Sequence, residues 1–352
     1  MSSATSGGYP LPIKLPRDNL RQKLQCKINV ISTATLSGNF IQSFKSDIST
    51  HLTLDYHNSQ MQHILLTGAN SFLGPHVLKH LIAAGHRITA VGRQTPIETS
   101  NRFNYVRVDL SQKQNFNLLP TDVNAIIHLA AQLPVPGTTA AQLVLNNIIA
   151  TRNLISYAIK SRVARFVYAS TRSVYGKVSS EIVDECTPII DPCTYGLTKY
   201  AAELMLADES TILPSVAIRL PGMLGPKAKR HWIPDILESM LDGRTVTIYN
   251  PDALFNNIMH ADALGAFICK LMTQNWEGFY AFPIGAGNCL SVKTVTERLI
   301  FKLASKSPIE VAAKCRNTAT VSSHMGMNLF GYKPEPLEII LDKYVDEVTM
   351  QR

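Results

Sequence analysis

Short apolar runs alternate with longer stretches of helical periodicity from Met61 onward. The runs have the length and the Val, Ile, Leu and Tyr content typical of buried β-strands, and the stretches between them repeat apolar residues at helical spacing. We predict strands at 63–67, 87–91, 105–108, 125–129, 165–169 and 216–220, and helices at 75–84, 141–160 and 195–208. Strands separated by helices of this length form right-handed βαβ units. The pattern therefore predicts an α/β fold with a doubly wound parallel sheet of the Rossmann type.

The same pattern predicts three regions along the chain. Residues 1–60 are rich in Ser, Thr, Asn and Gln and keep no apolar period, so we expect a poorly ordered, dispensable N-terminal extension. Residues 61–220 form the sheet domain. Residues 221–352 are irregular and rich in Pro and Gly. We expect them to form mainly a smaller C-terminal lobe over the carboxyl ends of the strands, with some segments returning to the sheet.

A glycine-containing turn, TGANSFLG at 67–74, joins the first strand to the first helix. In such a turn a glycine lets the chain turn sharply at the end of the strand. The N-terminus of the next helix then offers free N–H groups to a phosphate. A tight structural turn is the competing interpretation of this short string, and the βαβ context favours a dinucleotide. The predicted cofactor contacts here are Gly68, Asn70, Ser71, Phe72, Leu73 and Gly74.

The end of the second predicted strand bears on the choice of cofactor. An acidic residue at this place holds the ribose 2′-hydroxyl of NAD, whereas an arginine accommodates the 2′-phosphate of NADP. The chain has Gly92 and Arg93 there. We therefore expect Arg93 to contact the cofactor and NADP to be preferred over NAD; the alternative is an exposed arginine with no ligand.

Tyr195 and Lys199 are four residues apart, which on a helix places them on one face. A nearby ammonium favours the phenolate, so the pair can serve as a general acid/base. The spacing alone is common, and a surface tyrosine beside a solvated lysine is the alternative. The pair lies downstream of a strand that ends in Ser170 and Thr171, whose hydroxyls would stand at the carboxyl edge of the sheet. This placement favours catalysis.

Composition narrows the classes of partner. The net charge of +8 suits several anionic partners, but no basic run occurs and aromatic residues make up only 7%, so we expect no nucleic-acid binding. The six cysteines form no C-x-x-C pair, from which we expect reduced thiols and no metal site. No apolar stretch of about 18 residues occurs, so we expect no membrane span and a cytoplasmic location.

With these motifs in order, residues 61–340 closely resemble the NAD(P)-dependent epimerase/dehydratase family, the extended short-chain dehydrogenases. The resemblance implies catalysis by Thr171, Tyr195 and Lys199, with hydride transfer to or from a nicotinamide. Tyr195 would exchange the proton, and Lys199 would lower the tyrosine pKa and hold the nicotinamide ribose. It further implies cofactor contacts at Asp109, Leu110, Leu129, Ala130, Ala131, Asn147, Tyr195, Lys199 and Pro221.

The chain departs from the family pattern at several positions. Ser71 replaces the middle glycine of the turn, and Arg172-Ser173 replaces the Asp-Glu pair of sugar-nucleotide dehydratases, which disfavours that elimination. Gly222 and Asn256 stand where nucleotide-sugar epimerases often have an asparagine and an arginine. The basic cluster Lys227, Lys229, Arg230 and His231 could supply the missing charge, or be a solvated loop. The predicted substrate contacts are Gly222, Lys227, Arg230, Asn256 and His260.

The function expected from the resemblance is an NAD(P)-dependent epimerase or oxidoreductase that acts on a hydroxyl or keto carbon of a small molecule, a nucleotide sugar. An NADPH-dependent reductase of another small carbonyl compound uses the same residues and is an alternative. A non-catalytic NADP-binding sensor is a second alternative, because one fold hosts many functions. The resemblance also implies a homodimer formed through two helices.

Overall fold

The structure of the chain is a computed structural model that describes residues 61–94, 102–229, 231–313 and 318–351. The predicted extension at 1–60 and the predicted substrate contact at Arg230 lie outside the described residues. The strands are β1 (His63–Thr67), β2 (Arg87–Gly92), β3 (Phe103–Arg107), β4 (Ala125–His128), β5 (Arg165–Thr171), β6 (Ile182–Val183), β7 (Ser215–Leu220), β8 (Gly222–Leu224), β9 (Val246–Ile248), β10 (Leu254–Phe255), β11 (Ile258–His260), β12 (Phe279–Pro283), β13 (Leu290–Ser291), β14 (Ile309–Val311) and β15 (Thr320–Val321).

Helices occupy most of the connections between strands. They are α1 (Gly74–Ala83), α2 (three consecutive segments, Ala140–Leu143, Val144–Ile149 and Ala150–Lys160), α3 (Thr194–Asp208), α4 (Trp232–Leu241), α5 (Ala261–Leu271), α6 (Val292–Leu303), α7 (His324–Phe330) and α8 (Leu337–Thr349). Two 3₁₀ turns lie at Lys113–Leu118 and Arg172–Tyr175.

Within the described residues, a seven-stranded sheet has the order β12-β7-β5-β4-β1-β2-β3, and every pairing in it is parallel. The order reverses next to β1, so the carboxyl ends of β1 and β4 flank a crevice of the kind that binds ligands in open α/β sheets. The predicted doubly wound parallel sheet is confirmed. The smaller pairs are β8 with β11, β9 with β14 and β6 with β15, all parallel, and β10 with β13, antiparallel.

Both faces of the sheet are buried, which explains why its strands are continuous apolar runs. Along β1 the side chains alternate between two cores: Ile64 and Leu66 pack on one face and Leu65 on the other. Helices α1 and α5 cover the first face, and α2 and α3 cover the second. The strand β12 comes from the C-terminal part of the chain and extends the sheet beside β7.

A third core lies in the C-terminal part of the chain. Helices α4, α6 and α8 contribute Leu237, Leu299 and Leu341, which are buried together. The strands β8 and β11 supply Leu224 and Ile258 to the same core. Strand β8 follows β7 directly in the sequence. The chain therefore passes from the carboxyl edge of the parallel sheet straight into this core.

Helix α2 differs from the uninterrupted helix predicted at 141–160. Its middle segment, Val144–Ile149, is a π-helix, in which the backbone carries one extra residue per turn. Asn147 is buried in this segment and its side chain bonds outside the helix, to the main chain of Gln132 and to Thr198 Oγ1. These long-range bonds hold the distortion, and a sequence pattern does not reveal them.

The expectation that all cysteines are reduced is wrong at Cys186, which is disulfide-bonded. Cys193, Cys269 and Cys289 are free thiols. The spacing of cysteines along the chain reports nothing about their distance in space, so the prediction had no means of detecting this bond.

Candidate active site

The turn after β1 requires glycine at two positions. Gly68 has φ +76°, and a Cβ added there would lie 2.7 Å from Ala130 N at the end of β4. A Cβ on Gly74 would lie 2.1 Å from Ala69 O, so only glycine lets α1 begin so close to the turn. Ser71, in place of a glycine, is exposed, and its Oγ accepts a hydrogen bond from Gly74 N (3.3 Å).

A cavity of about 250 Å³ lies at the carboxyl ends of β1, β2 and β4. Many of the predicted cofactor contacts meet there. Those that line it are Gly68, Asn70, Ser71, Arg93, Asp109, Leu110, Ala130 and Ala131. A glycine turn that a side chain would fill, followed by the N-terminus of a ten-residue helix, fits the diphosphate of a dinucleotide.

Three other predicted cofactor contacts, Phe72, Leu73 and Leu129, do not line this cavity. Phe72 packs against the C-terminal core and meets the His76 ring edge-on, with the ring centroids 6.0 Å apart. Leu73 packs on the first core of the sheet, and Leu129 is buried in that core. These side chains shape the turn and the strand end rather than line the cavity.

A buried chain of hydrogen bonds connects the turn to the π-helical segment. Thr151 Oγ1 donates to Asn147 O (2.7 Å), so His128 Nε2 must carry a hydrogen and donate to Thr151 Oγ1 (2.9 Å). His128 Nδ1 is then the acceptor for the hydroxyl of Thr67 (2.6 Å). Burial, with a contribution from the charge of Lys199, lowers the pKa of His128 to about 3. The imidazole is therefore neutral and holds β1, β4 and α2 in register.

Thr171 ends β5 and lines a second cavity, of about 500 Å³. Its hydroxyl oxygen accepts a hydrogen bond from Ser173 N (3.2 Å), which starts the 3₁₀ turn that follows. The lining residues are Thr171, Arg172, Ser173, Gly176, Asp191, Cys193, Leu220, Pro221, Gly222 and Asn257. The predicted residues Thr171, Pro221 and Gly222 thus meet at the carboxyl ends of β5 and β7.

The first turn of α3 packs against the turn that follows Thr171. A Cβ on Gly196 would lie 2.2 Å from Ser173 O, so glycine lets the two segments touch. Cys193, at the N-cap of α3, lines the 500 Å³ cavity, and Tyr195 follows two residues later. Burial raises the pKa of Tyr195 to about 12, and Cys193 adds to this effect.

Lys199 is almost completely buried, one turn along α3. Its Nζ lies 4.0 Å from the centroid of the Tyr168 ring, a cation–π contact. Burial lowers the pKa of Lys199 to about 7, against the opposing influence of Glu203. Burial is the largest influence on the Tyr195 phenol and raises its pKa, and the lowering of this pKa by Lys199 stays a prediction.

A buried ion pair supports this end of α3. The guanidinium of Arg219 binds Glu203, with 2.7 Å between Nη2 and Oε2, and also donates to Tyr175 Oη (3.1 Å). Ser170 donates to the same carboxylate. Glu203 is thereby held in place one turn beyond Lys199, where its charge acts on the lysine. Sequence patterns did not predict this group of contacts, because its members come from β5, α3 and β7.

His231 explains why position 222 is a glycine. A Cβ on Gly222 would lie 2.6 Å from His231 Nε2, so the imidazole occupies the space beside the cavity. Burial lowers the pKa of His231 to about 4, and its Nδ1 accepts a hydrogen bond from Ile233 N (3.4 Å). Lys227 and Lys229 of the basic cluster are exposed.

Asn256 and His260 do not line the described cavities, because their polar atoms bond inside the protein. Asn256 Oδ1 accepts from Val321 N (2.7 Å) and its Nδ2 donates to Val321 O (2.8 Å). His260 Nδ1 accepts from Asp262 N (3.2 Å), and its Nε2 lies 2.9 Å from Glu347 Oε2. Both residues connect segments of the C-terminal part of the chain.

The structure adds cavity residues that the sequence interpretation missed. Gln94 and Tyr105 line the cavity beside Arg93, and Asn146 accepts a hydrogen bond from Arg93 Nη1 (3.1 Å). Asn257 lines the cavity beside Thr171. Gln94 could have been found, because it directly follows Arg93 at the end of a strand; the others reach their cavities only through the tertiary fold.

Known proteins resemble this chain along most of its length. A dTDP-glucose 4,6-dehydratase from Streptomyces niveus is 28% identical over 67% of this chain and 76% of its own. A putative UDP-glucose 4-epimerase from Methanocaldococcus jannaschii is 26% identical over 65% of this chain and 78% of its own. The solved structure of MoeE5 in complex with UDP-glucuronic acid and NAD superposes with a TM-score of 0.70 at 22% identity, covering 82% of this chain and all of that one.

The family profile described as "NAD dependent epimerase/dehydratase family" matches residues 64–280. This range holds the glycine turn, both cavities, and the Thr171, Tyr195 and Lys199 set. A membrane-spanning helix is not found in the part of the chain that the structure describes. The chain belongs to the NAD-dependent epimerase/dehydratase family and is an enzyme of that type.

Proposed function

We propose that the protein is an NAD(P)-dependent epimerase or oxidoreductase that acts on a hydroxyl or keto carbon of a nucleotide sugar, with Tyr195 as its acid/base. One observation carries the proposal: the first turn of α3 packs on the turn after Thr171 through Gly196. This contact brings the helix that holds Tyr195 to the carboxyl edge of the sheet, beside the cavity that Thr171 lines.

Three side chains take part in the proposed proton transfer. Thr171 Oγ1 orients the reacting oxygen, and the phenol of Tyr195, neutral because of its raised pKa, donates a proton to it during reduction. Lys199, with a pKa of about 7, holds or releases a proton at Nζ near neutral pH. When bound, the nicotinamide supplies the hydride chemistry, and its positive oxidised form favours the Tyr195 phenolate needed for oxidation.

Relatives named dehydratases and epimerases of nucleotide sugars support this substrate class. Arg172-Ser173 after Thr171 disfavours dehydration, because no carboxylate stands there to assist the elimination. The alternative, reduction of another small carbonyl compound by NADPH, uses the same three residues. Screening nucleotide sugars for thermal stabilisation of the cofactor-loaded protein separates the two, since a ligand of the native state raises its stability.

The proposed cofactor is NADP in preference to NAD. Arg93 lines the cavity at the end of β2 and is oriented by Asn146, and no acidic residue follows that strand directly. We expect Arg93→Ala to weaken NADPH binding by at least about tenfold and to leave NADH binding unchanged. Arg152→Ala, an exposed arginine on α2, is the matched control. Tighter binding of NADH than of NADPH by the unsubstituted protein contradicts the preference.

The decisive variant for the acid/base role is Tyr195→Phe, which keeps the ring and removes the hydroxyl. We expect cofactor binding within about twofold of wild type and turnover reduced by at least about a hundredfold. Tyr280→Phe, on β12, is the control and should retain full turnover. Turnover near wild type in Tyr195→Phe removes the proposed role.

A homodimer through α2 and α3 is part of the proposal. Apolar side chains on these helices are exposed: Val144 by 42%, Leu145 by 44%, Leu197 by 53% and Leu204 by 38%. Exposed apolar side chains grouped on two neighbouring helices are typical of a protein interface. We expect sedimentation at dimer mass, and monomer mass for Leu197→Glu; a monomeric unsubstituted protein contradicts it.

The cytoplasmic location expected from the sequence is also proposed. The disulfide at Cys186 argues against it, since disulfides are uncommon in reducing compartments. Cell fractionation with rapid thiol trapping tests the point. Recovery of the protein in the cytoplasmic fraction supports the location, and recovery from another compartment contradicts it.

A further inference from the structure

Arg172 lines the 500 Å³ cavity with a half-buried side chain. Its Nε is buried and forms no hydrogen bond among the described residues. The acidic side chain that shares this cavity, Asp191, is bound to Lys177, with 2.6 Å between the charged atoms. The nearby buried carboxylate of Glu203 is bound to Arg219. Neither acid therefore serves Arg172.

Partial burial of a cation without an anion is unfavourable in the folded protein. A guanidinium stays charged at every physiological pH, and taking it from water without a counter-charge costs free energy. Burial accordingly lowers the pKa of Arg172. Arg219, by comparison, is a buried arginine with a structural role, and its guanidinium binds a carboxylate and a tyrosine hydroxyl. The lack of such a partner points to a ligand as the source of the anion for Arg172.

We propose that Arg172 binds a carboxylate on the sugar ring of the substrate, so that the enzyme prefers acidic nucleotide sugars to neutral ones. This inference rests on the proposed function and narrows its substrate class. The planar guanidinium pairs with a carboxylate through two parallel hydrogen bonds, which fixes the orientation of the ring as well as its charge.

The surroundings of Arg172 favour the sugar ring over the diphosphate as the source of the anion. Arg172 directly follows Thr171, which we place at the reacting carbon, and consecutive Cα atoms are about 3.8 Å apart. Asn257 lines the same cavity, and its buried Oδ1 has no hydrogen-bond donor among the described residues. A diphosphate offers only acceptors. A ring with a carboxylate and hydroxyl groups satisfies both Arg172 and Asn257.

The test uses the full chain carrying Tyr195→Phe and loaded with cofactor, so that ligands bind without turnover. UDP, UDP-glucose and UDP-glucuronate are titrated by calorimetry, because the two sugars differ only in a hydroxymethyl or a carboxylate group. We expect UDP-glucuronate to bind at least about tenfold more tightly than UDP-glucose. Arg172→Met should abolish this difference and leave the affinities for UDP and UDP-glucose unchanged. Arg172→Lys should retain part of it, and Arg152→Met, the control, all of it.

Two outcomes overturn the inference and leave the proposed function standing. One is equal affinity for both sugars in the protein with Arg172 intact, a comparison that does not depend on how any Arg172 variant folds. The other is loss of UDP affinity in Arg172→Met, which assigns the guanidinium to the diphosphate. If no nucleotide sugar raises the thermal stability of the cofactor-loaded protein in the screen described above, the proposed function itself fails, and the inference fails with it.

Discussion

Replacing Lys199 by methionine should stabilise the protein while it destroys activity. Burial lowers the pKa of Lys199 from its ordinary value of 10.5 to about 7. That difference corresponds to a native-state cost of at most about 5 kcal/mol when the lysine is protonated. Methionine fills a similar volume without a charge, so we expect Lys199→Met to raise the free energy of unfolding by about 2–5 kcal/mol at about pH 6.

The effect has a defined pH dependence. Between pH 7 and 10.5 the unfolded chain holds a proton on Lys199 that the native protein has released. The free energy of unfolding of the wild type therefore rises with pH across this interval, and the cost is fully present only below about pH 7. The advantage of Lys199→Met should accordingly shrink as the pH rises and vanish near pH 10.5.

Urea denaturation followed by tryptophan fluorescence, at about pH 6, 8 and 10, measures these differences. Lys160→Met, an exposed lysine at the end of α2, is the matched control and should change stability by less than about 0.5 kcal/mol at each pH. A Lys199→Met protein that is less stable than wild type at every pH, or whose difference does not vary with pH, refutes the reasoning. Loss of turnover in the same variant would show that activity requires the buried Lys199 charge, although that charge lowers the stability of the protein.

Three further variants test the architecture of the site by thermal or urea unfolding. Gly68→Ala should lose about 1–3 kcal/mol and most cofactor affinity, whereas Gly243→Ala, which also has positive φ but open space around it, should lose only the backbone strain and no cofactor affinity. Arg219→Met should cost about 3–5 kcal/mol, because it leaves Glu203 buried and unpaired. Burial opposes ionisation of Asp262, but contacts with lysine and histidine side chains lower its pKa to about 2. Asp262→Asn should therefore cost about 1–2 kcal/mol near neutral pH, and this difference should disappear as the pH falls from about 4 to 2. Equal losses for the two glycine variants, a neutral Arg219→Met, or a pH-independent Asp262→Asn would each contradict the corresponding contact.

The sheet was predictable because burial on both faces leaves a simple pattern. β1 has the predicted bounds, 63–67, and β2 and β4 differ from their predicted bounds by one residue. Fully buried parallel strands are short, nearly uniform apolar runs, so their positions follow from local composition. The glycine turn was equally local, since Gly68 and Gly74 are required by backbone geometry at a strand-to-helix connection.

The features that the sequence did not predict depend on contacts between distant segments. The π-helical segment is held by the Asn147 bonds to Gln132 and Thr198, and β12 joins a sheet whose preceding strand ends at Leu220. The raised pKa of Tyr195 has the same origin, because the spacing of Tyr and Lys says nothing about burial. The local sequence pattern therefore predicts where the site lies, whereas the pKa values within it depend on tertiary packing.

Transfer of a hydride from the sugar to the bound nicotinamide is the step on which the proposed mechanism depends. It is measured by mixing the protein, loaded with oxidised cofactor, with nucleotide sugars deuterated on the ring, quenching the reaction within the first turnover and weighing the reduced nicotinamide by mass spectrometry. We predict deuterium in the cofactor from the wild type and none from Tyr195→Phe under the same conditions. Product that forms without any labelled reduced nicotinamide in the samples quenched during the first turnover, or equal labelling by both proteins, would contradict the account.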